Sequence, residues 1–421
     1  MNGSDNVERV ILHCDCNSFF ASVETALNPA LCGVPMAVCG SEADRHGIVL
    51  AKNELAKGFG VVTAETVREA KRKCPQLVTV PPHHGEYLKY SRAVNEIYAR
   101  YTDLIEPFGI DESWLDVTAS YKLFGSGEQI AERIRQEIKK EIGITVSIGV
   151  SFNKTFAKLG SDYKKPDAVT VIDEDNFRSI VYPLPVSDLL FVGKKTAEQL
   201  LHLGIRTIGD LAMASVQILE YHFGKNGLML HKSATGEEDS PVTVPTDEVK
   251  SIGRGYTFRR DLLNLEECYT GILYLSEQIG AKLREKGLVC TTVSLKIKDE
   301  NLITIQRQKP LRAATDLAKE ICNCAYEILL DGWKSKKPIR MLTVTALGLL
   351  NKEDASEQLS LFDSGCSNNE KEEKIEITLD NIRQKYGKSA IVAGAIMDGE
   401  LGIYRKKPRP RSNEKNQKEE N

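Results

Sequence analysis

The 421-residue sequence predicts an α+β protein of several domains. Three observations lead there. Strand-like and helix-like hydropathy patterns alternate over residues 9–173. From Leu184 to Leu211 the chain reads as short helices and glycine turns with no strand signal. From Pro241 the alternation resumes, which marks a second, separate α+β unit. The length alone implies two to four domains.

The first elements follow in order. Residues 9–15 (RVILHCD) read as a buried strand, and a helix is expected from Ser18 to Leu27, with Pro29 beyond its end. PMAVCG and GIVLA, within 35–51, are short strand candidates around the polar turn SEADRH. Short helices fit 53–58 and 65–73. Tyr87, Tyr90, Val94, Ile97, Tyr98 and Tyr101 recur at helical spacing. The segment Leu104-Ile105-Glu106 leads into the turn Pro107-Phe108-Gly109, and Ser113 to Val117 reads as a strand. Ile130, Ile134, Ile138 and Ile142 form a helical stripe. Residues 145–151 alternate as a strand, and a basic helix starts at Lys154. This order suits a layer with helices on one sheet face. In the second unit, strands are expected over 249–260, 289–298, 302–308 and 339–349, with helices over 265–285 and 314–330. VTVPTDE before it reads as a linker. Beyond Asn351 the chain is polar and charged and is expected to be flexible for much of its length. It holds an apolar island, Gln358-Leu359-Ser360-Leu361-Phe362, and Leu379, Ile382 and Tyr386 mark one short helix. No internal repeat is evident.

Composition narrows the class. Apolar residues at 41% and charged residues at 27% describe an ordinary globular chain. No apolar run approaches the roughly 20 residues needed to span a bilayer. The start MNGSDNVERV lacks a signal-peptide layout, so the expectation is a cytoplasmic protein without a membrane partner. The ten cysteines are scattered, and the pairs Cys14/Cys16 and Cys322/Cys324 lack zinc-site spacing. His83-His84 reads as a helix N-terminal turn. The formal net charge of −3 does not exclude nucleic acid, because charge can be segregated. Val242 to Leu350 carries 17 Lys and Arg against 13 Asp and Glu, and a basic cluster lies at Arg405-Lys406-Lys407-Pro408-Arg409-Pro410-Arg411.

Three acids carry the chemistry. Asp15 ends the first strand and precedes a helix. Asp111 and Glu112 sit between a turn and the strand SWLDV. Adjacent acids at a hairpin tip repel each other, and a bound cation removes that penalty. Nucleotidyl transfer uses such acids to hold two metals about 3.5–4 Å apart. Singly, a solvated turn and a helix cap explain them better, since capping and turn acids are common.

Longer motifs decide between these readings. Asp15-Cys16-Asn17-Ser18-Phe19-Phe20-Ala21-Ser22-Val23-Glu24 resembles the opening motif of the Y-family DNA polymerases, of the bacterial lesion-bypass type. Gly109-Ile110-Asp111-Glu112-Ser113-Trp114-Leu115-Asp116-Val117 resembles the second motif. Residues 147–162 (SIGVSFNKTFAKLGSD), completed by Lys165-Pro166, resemble the third. The resemblance covers residues 9–350.

It implies a right-hand polymerase performing error-prone, template-directed synthesis. A ferredoxin-like palm would take residues 1–24 and 75–173, small fingers 25–74, and a helical thumb 174–240. A separate α+β little finger would take 242–350, and a flexible clamp-binding tail 351–421. Asp15 and Asp111 would bridge two Mg2+ ions, Glu112 would complete the site, and the Cys16 carbonyl would add a ligand. Backbone amides from Cys16 to Phe20 would cradle the triphosphate. Lys57 and Lys165 would bind its phosphates. Of Phe19 and Phe20, adjacent residues about 100° apart on a helix, one would be core, and Phe20 would gate the sugar. Gly193 and Lys194, in a segment resembling a helix-hairpin-helix, would meet a DNA phosphate. Lys250, Arg254, Arg259, Lys296, Lys298, Arg307 and Lys309 would line a phosphate track. Gln358, Leu361 and Phe362 would dock on a sliding clamp. Primer-template DNA and deoxynucleoside triphosphates are the other implied partners, and a monomer is expected.

The sequence departs from the family in places. Glu54 stands where Tyr is common, Ala51 where Ser or Thr is usual, and Phe191 where the hairpin has a glycine. Glu54 is therefore expected to point away from the triphosphate, with Lys52 supplying a contact. Short fingers imply a small contact on the nascent pair and weak discrimination. A DNA- or clamp-binding scaffold with a decayed site, and another palm-fold enzyme such as a nucleotidyl cyclase, are the competing readings.

Overall fold

A computed structural model describes residues 9–41, 45, 47–246, 248–334, 337–355, 366–387, 389–394 and 401–403. The clamp-motif residues Gln358, Leu361 and Phe362 and the basic cluster at 405–411 lie outside the described residues. Contacts divide the chain into two units, Met1–Gly40 with Gly47–Thr246, and Ser41–His46 with Asp247–Asn421.

In the first unit, β1 (Ile11–Cys16) and α1 (Phe19–Leu27) lead into a small lobe. That lobe holds β2 (Met36–Cys39), β3 (Val49–Lys52), α2 (Glu54–Gly58), α3 (Val67–Lys73) and β4 (Val78–Val80). Its sheet has the order β3-β2-β4, with β2 and β4 parallel, so the lobe extends past residue 74. Next come α4 (His84–Tyr98), β5 (Ile105–Pro107), β6 (Glu112–Asp116), α5 (Tyr121–Phe124) and α6 (Gly127–Glu141). β7 (Val146–Ser151), α7 (Lys154–Tyr163) and β8 (Val169–Ile172) complete the larger layer. Its sheet runs β5-β6-β1-β7-β8, which puts β1 in the middle.

All six residues of β1 are buried, and this explains a difference from the one-sided layer read in the sequence. Leu12, Cys14 and Cys16 face α4 and α6 through Tyr87, Val94, Ile97, Ile130, Ile134 and Ile138. Ile11 packs on the other face with Trp114 and Ala157 of α7. Helices cover both sides, so β1 is buried throughout, with the polar His13 and Asp15 on the face that α7 covers. Close approach of α7 depends on glycine: a Cβ on Gly149 would lie 1.8 Å from the Ala157 carbonyl oxygen and 2.5 Å from the Ser161 nitrogen. Trp114 Nε1 donates to the Lys154 carbonyl at 3.0 Å and seats the same helix.

Short helices α8 (Phe177–Ile180), α9 (Lys194–His202), α10 (Ile208–Met213), α11 (Val216–Phe223) and α12 (Lys225–Thr235) share a core with Phe156 and Leu159. The segment after them stays with this unit. Val242 is buried beside Ile11 and Trp114, and Glu106 accepts from the Thr243 amide at 2.7 Å and hydroxyl at 3.0 Å. The first unit therefore ends after the position where the sequence reading began the second.

In the second unit, β9 (Ser251–Leu262), α13 (Leu265–Glu285), β10 (Leu288–Asp299), β11 (Thr304–Thr315), α14 (Ala318–Gly332) and β12 (Ile339–Asn351) form a sheet of order β11-β10-β12-β9. One face packs on α13 and α14. β11 runs to Thr315, well beyond the expected stretch, and tolerates Pro310 because it is an edge strand.

The tail differs most from expectation. Instead of one short helix in a flexible segment, α15 (Cys366–Tyr386) is 21 residues long. It is held by ion pairs: Arg284 with Glu376 and with Asp380 at 2.6 Å, Lys352 with Glu373, Lys319 with Glu372 at 2.6 Å, and Arg383 with Glu277 at 2.8 Å. Further on, Leu401 and Ile403 are buried in the unit's core.

Two outcomes follow. Gly149→Ala should cost about 3 kcal/mol or more, because backbone rather than a movable side chain meets the new methyl; urea denaturation measures it. Arg284→Ala should speed amide exchange across residues 372–386 in hydrogen-exchange mass spectrometry while leaving β10 and β12 protected. High salt should act in the same direction on the wild type.

Candidate active site

The register of the central strands builds the site. β1 and β6 are antiparallel with Asp15 opposite Glu112, and β1 and β7 place Asp15 opposite Ser147. The Cys16 amide donates to the Asp111 carbonyl at 3.0 Å, which ties the turn before β6 to the end of β1. Asp15, Asp111 and Glu112 are thereby brought to one sheet end, as the sequence reading expected.

Their electrostatics differ. Burial pushes the Asp15 carboxyl up to about 6, although Lys165 opposes the shift. Asp111 is also raised, by burial and by the neighbouring Glu112 charge. Burial acts the same way on Glu112, but the neighbouring His13 and the hydrogen-bonded Lys158 outweigh it and hold this carboxyl down at about 2. Among the described residues Asp111 makes no ion pair within 4 Å. No group of three or more His, Cys, Asp or Glu side chains converges closely enough to close a metal site among those residues. The donor set is nonetheless that of a hard cation: three carboxylates, two of them raised by a burial that a bound cation would offset. Burial also drives the Cys16 thiol well up, so this residue can offer its carbonyl but not a thiolate.

Two groups that sequence reasoning missed complete the cluster. Lys158 Nζ lies 2.7 Å from Glu112 Oε2 and 3.8 Å from Asp15 Oδ2. His13, buried on β1, has Nε2 at 3.3 Å from Glu112 Oε2 and Nδ1 at 2.8 Å from Ser161 Oγ. Burial lowers its imidazole to about 4, so it is neutral at pH 7. The basic third motif was the available signal for Lys158. Lys165, expected as a phosphate ligand, has Nζ 2.6 Å from Asp15 Oδ2. Its loop is pinned where the Asp167 amide donates to Asn17 Oδ1 at 2.9 Å, and where Arg135 and Lys139 pair with Asp167 at 2.5 and 2.7 Å.

The turn into α1 narrows the expected phosphate cradle. The amides of Cys16 and Asn17 are already used, by the Asp111 and Thr145 carbonyls at 3.0 and 2.9 Å. The N–H groups left are those at the helix start, where Ser18 adopts φ +46°. Phe19 is buried, so its backbone but not its ring can serve a nucleotide. Phe20 is half-buried and stacks on Tyr87 with centroids 4.1 Å apart. Tyr87 is locked from behind: its hydroxyl donates to the buried Glu24 at 2.5 Å and accepts from the His83 amide at 3.0 Å. Nearby, Glu54 does not point away. Its Oε1 accepts from Ser18 Oγ at 3.4 Å, and its Oε2 lies 3.5 Å from the exposed Lys57. Lys52 donates to Thr63 Oγ1 at 3.1 Å.

Other expected residues are placed as follows. Gly193 caps α9 and Lys194 opens it. Phe191 takes φ +69°, the conformation for which the hairpin motif normally uses glycine, with its side chain exposed. In the second unit, strand register separates the basic residues. Arg254 pairs with Val344 and Arg307 with Leu295, on the helix-covered face, and Lys309 bonds Glu327 of α14 at 2.8 Å. Lys296 and Lys298 have the opposite parity and lie on the other face, whereas Arg259, in the irregular stretch of β9, lies beside Gly402. Arg254 and Arg307 thus do not share a track with Lys296 and Lys298.

Known proteins match this architecture. The impB/mucB/samB family model matches residues 14–162, and the C-terminal domain model of that family matches residues 249–361. DNA polymerase IV of Acetivibrio thermocellus is 47% identical over 396 residues, covering 93% of this chain and 98% of the relative. DNA polymerase IV 1 of Bacillus subtilis is 37% identical, covering 93% and 94%. Among solved structures, a Y-family DNA polymerase chimera of Dbh and Dpo4 aligns with TM-score 0.72 at 26% identity, over 81% of this chain and 99% of the chimera. The chain belongs to the bacterial Y-family DNA polymerases, in the DNA polymerase IV group.

Tyr87 gives a test of the packing behind Phe20. Tyr87→Ala should cost about 3–5 kcal/mol in denaturant melts, and Tyr87→Phe, which frees Glu24 of one donor, about 1–2 kcal/mol.

Proposed function

We propose that the chain performs error-prone, template-directed DNA synthesis across damaged templates, by nucleotidyl transfer with two divalent ions. The observation that carries this reading is the meeting of Asp15, Asp111 and Glu112 at one sheet end with Lys165 on the Asp15 carboxylate.

Asp15, Asp111, Glu112 and the Cys16 carbonyl would hold the magnesium ions, whose chemistry is to lower the pKa of a primer 3′-hydroxyl and neutralise the leaving pyrophosphate. The protein's own groups do the rest. The first amides of α1 and its positive end receive the triphosphate. Lys165 and Lys57 offset charge on its phosphates, and Glu54, facing Ser18, sets an acidic limit to that cradle. Phe20, backed by Tyr87, leaves no room for a 2′-hydroxyl, so ribonucleotides are refused by shape.

Gly193 and Lys194 would steady the duplex through a phosphate, Arg259 would add a phosphate contact, and the open face of the second unit, with Lys296 and Lys298, would follow the backbone without reading sequence. A three-stranded lobe over the nascent pair is a small contact, which fits permissive copying. A sliding clamp engaged by Gln358, Leu361 and Phe362, a monomeric state and a cytoplasmic location complete the reading.

Primer extension with magnesium tests it. The wild type should extend a primer only as its template directs. Asp111→Ala should lose at least about 10³-fold in rate, as expected when a metal-binding acid is removed. Phe20→Ala should incorporate ribonucleotides that the wild type refuses. A folded wild type that binds primer-template DNA and does not extend it would remove the polymerase reading in favour of a binding scaffold.

A further inference from the structure

The two lysines in the acid cluster are placed on the very oxygens that a metal would need. Lys158 Nζ is 2.7 Å from Glu112 Oε2 and 3.8 Å from Asp15 Oδ2, and Lys165 Nζ is 2.6 Å from Asp15 Oδ2. A fourth acid, the exposed Asp162, is within reach of both. It lies 3.8 Å from Lys158 and 2.6 Å from Lys165 on the same helical segment. Asp162 is exposed near the end of α7, so it can keep a lysine when Asp15 and Glu112 are otherwise engaged.

We propose that Lys158, together with Lys165, is a place-holding cation that occupies Glu112 and Asp15 while the divalent ions are away and transfers to Asp162 when they arrive. The inference rests on the metal-site reading above and adds how that site stays charged and ordered when empty. Asp15, Asp111 and Glu112 lie together at a partly buried sheet end, where like charges repel strongly. Two ammonium groups compensate part of that charge and hold two of the carboxylates in place. A lysine suits the task because its point charge sits on a flexible stem with three donors, so it can change partner by rotation alone. Asp162 makes the exchange cheap, since each lysine keeps one ion pair throughout.

A merely structural Lys158–Glu112 ion pair makes the opposite prediction about metal affinity. If Lys158 only orders Glu112, its removal loosens a ligand and weakens metal binding. A place-holder competes with the metal, so its removal tightens binding while destabilising the empty protein.

The test is Mn2+ binding to the full-length protein without DNA or nucleotide, read from free Mn2+ by electron paramagnetic resonance, beside thermal melts in chelator. Lys158→Met should bind Mn2+ about tenfold more tightly than wild type, as expected for removing a unit charge a few Å from a divalent ion, and should melt lower in chelator. Asp162→Asn should bind severalfold more weakly, because the lysines then have no second partner. Lys164→Met removes an exposed neighbouring charge and should change affinity by less than about twofold. Binding by Lys158→Met that equals or falls below wild type overturns the proposal, as does a Lys164→Met effect of the same size. Should Lys158→Met not fold, Asp162→Asn decides: weaker binding supports the exchange, and unchanged or tighter binding overturns it. A wild-type-like Asp111→Ala affinity would instead remove the metal-site reading itself.

Discussion

Everything at the candidate site follows from ending a fully buried central strand on a carboxylate. β1 lies between β6 and β7 and is covered on both faces, so the position of Asp15 is fixed by the packing of the whole layer. That rigidity suits catalysis, but it desolvates the charge. The consequences are visible around it: Asp15 is raised, Lys165 is drawn onto it, and the Lys165 loop is itself pinned by Asn17, Arg135 and Lys139. Glu112, one strand over, is stabilised as an anion by His13 and Lys158. The site is thus asymmetric, with one acid held down by its neighbours and two raised by burial.

Phe20 is held by the same logic of support from behind. Phe20 is exposed enough to meet a ligand, and its position comes from Tyr87, whose hydroxyl is fastened to the buried Glu24. Glu24 belongs to the opening motif and Tyr87 to the helical stripe of α4, so two signals that read separately in the sequence turn out to be one structural unit. Glu54 shows the reverse. Electrostatic reasoning sent it away from the cradle, and the structure turns it toward Ser18, where the pair Glu54–Lys57 shares the local charge.

How much was legible depends on where the determining contacts lie. Asp15, Asp111 and Glu112 were readable because strand ends and turns are local features carried by contiguous motifs. Lys158 was not singled out, because its partners are 46 and 143 residues away in sequence and only the close α7–β7 crossing at Gly149 brings them together. The side of the sheet that Arg254 takes had a signal in the sequence: it shares parity with Ile252, Phe258 and Leu262, all buried in the core. The helix α15 was nearly invisible to hydropathy for a physical reason. It is held by carboxylates on Arg284, Lys352 and Lys319 rather than by an apolar stripe, and a helix that docks through charge looks like a solvated one.

The second unit makes a contrasting use of side chains. On the sheet face opposite its helices, Gly253 and Gly255 lie against Thr345 and Thr343, where a Cβ would meet the hydroxyl oxygens at 2.9 and 2.6 Å. The same face carries Thr257, Thr292, Ser294, Lys296 and Lys298 by register. Small residues and hydroxyls keep such a surface close to the backbone, and a few long cations add charge without shape. That combination suits a sequence-independent polyanion better than a dense basic groove would, because contact with a phosphate chain comes from hydroxyl and amide donors that do not distinguish bases. The buried acids of the first unit demand fixed geometry, whereas this face demands only tolerance. A DNA polymerase needs both in one chain, and the separation of the chain into two units lets each be met without compromising the other.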